Sequence, residues 1–174
     1  MGLPRMREQK TLKEAATVTG NDHADVAIKP PLLFVGALLL GCLLTWLYPI
    51  GPGLAAANGT ALAAGLGLAA AGMALTALSA RAFARAGTSV APTQASTTLV
   101  TTGPYGITRN PIYIGFVLVY LGFAIVLTSI WLLLLLIPVL FILQRGVVER
   151  EEAYLAGKFG EAYWKYQARV PRWL

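Results

Sequence analysis

The sequence is poor in charge, in cysteine and in histidine. Only 13% of its 174 residues are charged, about half of what soluble domains carry, and the shortage is concentrated. No Asp, Glu, Lys or Arg occurs from Pro30 to Ala80, nor from Asn110 to Gln144. A soluble domain of this size has no core large enough to surround such blocks, so they point to lipid. The single cysteine, Cys42, stands inside an apolar run, which excludes an intrachain disulfide framework and a cysteine-built metal site. The single histidine, His23, lies in a polar stretch. A histidine-rich metal site is excluded with it, and no metal is expected.

What is present is hydrophobic, at 56% of residues. Residues 1–29 are polar and mixed in charge, and read as a cytoplasmic tail with one short helix near Glu8 to Ala16. A cleaved leader is not expected, because the stretch before the first apolar run is long and of mixed charge. Pro31 to Tyr48 is the length of one crossing at about 20 residues, with Trp46 and Tyr48 at the far end, where interfacial aromatics belong. Gly51 to Gly59 is an uncharged turn region. Thr60 to Ala80 is mostly Ala, Gly and Leu. Small residues let membrane helices approach closely, which predicts a helix central in a bundle. Arg81 and Arg85 end it, and Ala86 to Thr102 is a polar loop.

The uncharged block from Asn110 to Gln144 is too long for one crossing. Its 35 residues make a helix of roughly 52 Å at 1.5 Å per residue, against a hydrocarbon core of about 30 Å. It is therefore predicted to fold back at Thr128-Ser129, with Ser129 capping the return helix and Pro138 kinking it. The expected architecture is all-α and integral to the membrane. It has about four crossings, including this hairpin in the C-terminal half, plus a cytoplasmic amphipathic helix at the end.

The placement of Lys and Arg agrees. Of 14, five precede the first block, three lie between the second and third (Arg81, Arg85, Arg109) and six follow the fourth. All fall on one side, as the positive-inside rule asks, which puts both termini in the cytoplasm. That one-sidedness and anionic lipid account for the net charge of +6, so no nucleic-acid partner is expected.

Two passages remain. In "GPYGITRNPIYIGF", Asn110 suits an N-cap and Pro111 the first helical position. Arg109 has either a lipid phosphate or a ligand to pair with, and the open amides of the helix start suit a carboxylate. In "VVEREEAYLAGKFGEAYWKYQARVPRWL", Leu155, Phe159, Tyr163 and Tyr166 recur at helical spacing. Glu151 falls on that stripe and Glu152 flanks it. The stripe can lie along the membrane surface, with Trp164 and Trp173 at headgroup level. The carboxylates are either helix-start acids favoured by the dipole or, at a membrane boundary, paired and functional. Together the passages offer one end for an anion and one for an ammonium or ribose hydroxyls. A zwitterionic, ribose-bearing ligand such as S-adenosylmethionine satisfies both.

The two passages together resemble the superfamily of isoprenylcysteine carboxyl methyltransferases and phospholipid methyltransferases, in its bacterial form. The residues carrying the resemblance are Gly103, Pro104 and Tyr105; Arg109, Asn110, Pro111, Tyr113 and Gly115; and Glu151, Glu152, Leu155, Phe159, Gly160, Tyr163 and Tyr166. It extends over about Arg85 to Leu174. It implies a single membrane methyltransferase domain over residues 30–174, with the cofactor motifs within 85–174. It also implies a multi-pass protein of the bacterial inner membrane, and S-adenosylmethionine bound between the Arg-Asn-Pro turn and the C-terminal helix. Gly103, Pro104, Tyr105, Asn110, Pro111, Tyr113, Gly115, Glu151 and Glu152 are then cofactor-binding, and Arg109 and Glu152 catalytic. Eukaryotic carboxyl methyltransferases have His where this chain has Asn110, which hydrogen-bonds but cannot act as a base.

The expected substrate is a lipid or other lipophilic acceptor, a carboxylate, amine or thiol. It would enter from the inner leaflet between the hairpin and the small-residue helix. The competing reading is a non-enzymatic membrane scaffold or transporter subunit. Against a transporter, no charge lies mid-membrane and no inverted repeat is visible.

Overall fold

The computed structural model describes residues 23–50, 58–91 and 94–174. The short helix expected near Glu8 to Ala16 and most of the turn from Gly51 to Gly59 fall outside them. Six α-helices and no strand occur among the described residues: α1 (Pro30–Leu47), α2 (Gly59–Arg85), α3 (Pro111–Val126), α4 (Ile130–Leu143), α5 (Glu149–Phe159) and α6 (Glu161–Arg169). A single 3-10 turn, Gly103–Gly106, precedes α3, and a π-helical turn, Gln144–Val148, joins α4 to α5 without a break. Three apolar stretches are long enough to cross a membrane: Pro30–Leu47, Gly59–Arg85 and the continuous run Ile130–Phe159. Pro111–Val126 is apolar but shorter, about 24 Å at 1.5 Å per residue. The crossing part of the long run is its uncharged stretch. From Arg145 onward the helix is charged and belongs to the polar end of the bundle.

Local signals set the helix starts. Pro30 and Pro31 occupy the first positions of α1, where no N–H is needed. Asn58 Oδ1 accepts from the Ala61 amide at 2.8 Å to open α2. The hairpin turns where the uncharged block predicts. Thr128 takes a left-handed φ of 44°, and Ser129 Oγ accepts from the Leu132 amide to cap α4. Asn110 departs from its expected role. It occupies the N-cap position of α3 without a side-chain cap bond, because its amide donates to the Arg172 carbonyl at 3.0 Å instead.

The helix pairing also differs from expectation. α2 is not central. Its buried residues are Gly65, Gly72 and Ser79, one seam at intervals of seven, with half-buried residues such as Ala69 and Thr76 beside it and most of the remaining surface exposed. That seam lies antiparallel on Gly122 and Gly115 of α3. A Cβ on Gly72 would sit 2.5 Å from the Gly115 carbonyl oxygen, and one on Gly122 would sit 2.6 Å from that of Gly65. The two backbones touch, which only glycine permits. Small residues made one very close contact rather than many ordinary ones. α1 packs on α4 through Gly41 against Leu132, and on α3 through the Phe34 ring against Phe116 and Tyr120. One apolar core joins α1, α3, α4 and the π turn. A second, of Ala156, Tyr163, Tyr166 and Val170, closes the polar end.

The expected single amphipathic C-terminal helix is two. Gly160, at φ 52° and ψ −122°, adopts a backbone conformation that is essentially glycine's alone. The chain turns there, and α6 folds back over the polar end rather than continuing along a surface. Trp173 then packs on the core of the bundle and donates to Gln144 Oε1 at 3.2 Å.

Candidate functional site

The site forms where the 3-10 turn, the start of α3, α5, α6 and the last five residues converge. α3 and α4 are antiparallel, so the start of α3 and the continuation of α4 meet at the same end. Glu151 and Glu152 follow the π turn by one helical turn, and α6 returns over them. Arg109 Nη1 pairs with Glu152 Oε1 at 2.9 Å, and the two side chains are only 9% and 12% exposed. The same guanidinium donates to the Tyr163 hydroxyl at 3.3 Å. Arg172 grips Glu152 with a fork: its Nε donates to Oε1 at 3.0 Å and its Nη2 to Oε2 at 2.6 Å. The Tyr113 hydroxyl donates to Glu151 Oε1 at 2.6 Å.

Arg109, Tyr113, Glu151, Glu152 and Tyr163 line a cavity of about 690 Å³, within the range of small-molecule sites, and Arg172 stands behind Glu152 outside its lining. Its walls include Lys29 and Pro30 before and at the start of α1, Phe83 near the end of α2, and Thr98 to Val100 from the polar loop. Of the residues expected to bind the cofactor or act in catalysis, Tyr105, Arg109, Asn110, Tyr113, Glu151 and Glu152 border it, as do Leu155, Tyr163 and Tyr166 of the helical stripe. Gly103, Pro104, Pro111 and Gly115 do not. Gly103 and Pro104 form the 3-10 turn that presents Tyr105, whose carbonyl accepts from the Tyr166 hydroxyl at 2.8 Å. Pro111 starts α3, and Gly115 is used up in the contact with Gly72.

Charge in the cavity is unevenly committed. Glu152 is saturated by two guanidiniums, so that cluster of three carries one net positive charge. Among the described residues Glu151 has no cationic partner. The residue keeps some exposed surface, but its carboxyl group lies deep. Burial pushes that carboxyl up to about 7, against the Tyr113 hydrogen bond and with the help of the Glu152 charge. It titrates near neutrality and can hold or release a proton there. Arg109 Nε is buried and has no hydrogen-bond partner among the described residues. Leaving such a donor unmade costs about 1–3 kcal/mol, so an acceptor is wanted beside it. The Arg109 side chain and Glu151 both border the cavity, and a cation and a carboxylate on one wall suit a ligand bearing both carboxylate and ammonium.

A second, almost wholly apolar groove of about 430 Å³ lies between α1 and α2 with α3 as its floor. It shares Pro31 and Phe116 with the first cavity. α2 and α3 touch backbone to backbone at Gly65–Gly122 and Gly72–Gly115, and the groove lies on the α1 side of that seam.

Sequence reasoning missed Arg172. Nothing in "VPRWL" marks it, since its role depends on the reversal at Gly160. A family model described as phospholipid methyltransferase matches residues 60–162. The match runs from α2 into α6 and takes in Arg109, Tyr113, Glu151 and Glu152, but not α1 or Arg172. No curated protein and no solved structure gives a match.

Proposed function

The chain belongs to the phospholipid methyltransferase family, whose model covers more than half of it, and on that premise of a membrane methyltransferase we propose that it moves a methyl group from S-adenosylmethionine to a lipophilic acceptor. The observation that carries this reading is that Arg109 and a Glu151 with no cationic partner among the described residues line one cavity. Arg109 holds the carboxylate end of the cofactor. Glu151, with Tyr113, takes its ammonium or ribose hydroxyls, or receives the proton that an amine or thiol acceptor must lose. Glu152 does not act as the base, because both its oxygens are bound by guanidiniums. It fixes Arg109.

When bound, the sulfonium supplies an electrophilic methyl: the carbon–sulfur bond breaks as the acceptor's bond to carbon forms, leaving a neutral thioether. The protein's part is alignment and exclusion of water. The acceptor reaches the cavity along the groove between α1 and α2, its chain against Val35, Leu38 and Ala77. With both termini cytoplasmic, that entrance faces the inner leaflet.

Calorimetric titration of the purified protein with S-adenosylhomocysteine, the demethylated product, tests the cofactor. One site per chain is expected, and no heat up to millimolar ligand overturns the proposal. Labelled cofactor supplied to the protein in the lipids of its source membrane then identifies the acceptor class. Ala77→Trp, which fills the groove, should cut transfer to lipid while sparing homocysteine-nucleoside binding. Undiminished transfer by that variant rules the groove out as the route.

A further inference from the structure

The chain ends with five residues, Val170 to Leu174, after α6, and they form a strap across the site. The Arg109 amide donates to the Pro171 carbonyl at 3.0 Å. Thr108 Oγ1 and Asn110 Nδ2 both donate to the Arg172 carbonyl at 3.0 Å. Val170 is buried among the tyrosines of α6, and Trp173 anchors on Gln144. The backbone of the strap is thus tied to the turn carrying Arg109 independently of the Arg172 side chain. The guanidinium of Arg172 is left to do one thing, which is to grip both oxygens of Glu152.

A carboxylate held by a fork has its plane and its position fixed, which a single contact does not achieve. Glu152 Oε1 is the atom that Arg109 Nη1 meets. Fixing that oxygen fixes the Arg109 guanidinium, between Glu152 on one side and the Tyr163 hydroxyl on the other. It thereby fixes how the Arg109 side chain sits in the cavity wall. We propose that Arg172 is a positioning residue. Acting through Glu152, it orients Arg109 for the carboxylate of the bound cofactor, and so governs affinity for the amino-acid end of that ligand rather than for its nucleoside. This rests on the cofactor reading above.

Arg172→Gln tests it, because the strap's own tethers are backbone bonds that the change leaves in place. The variant should bind S-adenosylhomocysteine about tenfold more weakly yet bind methylthioadenosine, which lacks the carboxylate and ammonium, within twofold of the unaltered protein. Arg172→Lys, a point charge without the fork, should recover part of the loss. In a Glu152→Gln background, Arg172→Gln should add less than twofold, since the two residues act in series. Equal losses for both nucleosides, or fully additive effects, overturn the proposal in favour of general structural support. If the unaltered protein binds neither nucleoside, the cofactor reading itself fails. The positioning claim is then decided by arginine-selective ¹⁵N NMR, with the Arg109 Nε–H signal assigned by Arg109→Lys. A shift of that signal in Arg172→Gln sustains it, and an unmoved signal ends it.

Discussion

Two contacts hold this molecule's functional end to its membrane end, and they work by opposite means. The seam between α2 and α3 is made by what is missing. Gly65 and Gly72 meet Gly122 and Gly115, and the helices approach until backbone touches backbone. The layer over the site is made by what is present: two arginines, a glutamate, tyrosine hydroxyls and a strap of carbonyls, each bond directional. A contact of the first kind has no intermediate setting, because any added atom collides. A contact of the second kind can be weakened one bond at a time while the fold stands. Changes in the seam should therefore act on folding, and changes in the cap on binding.

The largest effect belongs to the seam. Gly72→Leu places a Cβ 2.5 Å from the Gly115 oxygen and 2.8 Å from the Val119 nitrogen, both backbone atoms that no rotamer change can move. Overpacking of ordinary cores costs about 1–3 kcal/mol, and a backbone collision exceeds that. The variant should fail to yield folded protein on size exclusion in detergent. Gly67→Leu, where nothing lies within 4 Å, should be recovered normally. Comparable yields of the two would break the distinction.

Next comes the cap. Glu152→Gln leaves Arg109 and Arg172 side by side without their shared counter-charge. The loss is about 2 kcal/mol of charge-assisted bonding, lessened because Arg172 is 35% exposed and water screens it. Affinity for S-adenosylhomocysteine should fall at least tenfold, while the melting temperature drops only a few degrees. If the variant unfolded as Gly72→Leu does, the cap would be structural in the same sense as the seam.

The sequence made the seam's residues visible but not its geometry. The glycines of "GLGLAAAG" advertise close approach, yet they do not say whether a helix uses such a face once or on all sides, and α2 uses it once. The hairpin was legible because an uncharged block longer than the bilayer has to turn, and Ser129 caps its return. The motif residues around Arg109 and Glu151 were legible as a pair through the resemblance. Which of them reach the cavity was not, since Pro111 and Gly115 serve the helix and the seam. The strap was illegible because it depends on two backbone departures without a periodic signature. These are the π turn at Gln144–Val148, which shifts the register of everything after it by one residue, and the reversal at Gly160.

A smaller, graded effect is expected from pH. The Glu151 carboxyl titrates near 7 in the fold and at about 4.5 when unfolded. Over that interval the folded state holds the extra proton, so stability falls as pH rises between the two values. Binding should run the other way. If the ionised carboxylate accepts from the ligand's ammonium or hydroxyls, affinity for S-adenosylhomocysteine rises several-fold from pH 6 to pH 8, with proton release on binding in the lower part of that range. Glu151→Gln should flatten the profile. A steep profile that persists in Glu151→Gln would assign the titration to another group.

The smallest effect on function is expected farthest from the site, and it sharpens the comparison most. Ser129 lies at the opposite end of the bundle, only 2% exposed. Its hydroxyl caps α4 through the Leu132 amide and bonds Thr45 Oγ of α1 at 2.5 Å, so one small side chain ties the hairpin turn to the first helix. Ser129→Ala removes both bonds, and helix caps are worth about 0.5–2 kcal/mol. The half-buried Thr45 hydroxyl keeps its bond to the Gly41 carbonyl, which limits the loss to the lower part of that range. Thermal unfolding should shift down by a few degrees, and titration with S-adenosylhomocysteine should give the unaltered affinity, since no residue of the cavity contacts this turn. The seam between α2 and α3 lies between the two ends. A fall in affinity in Ser129→Ala would mean that the helices transmit a change at the hairpin to Arg109 and Glu151, and that seam and cap are one mechanical unit rather than two.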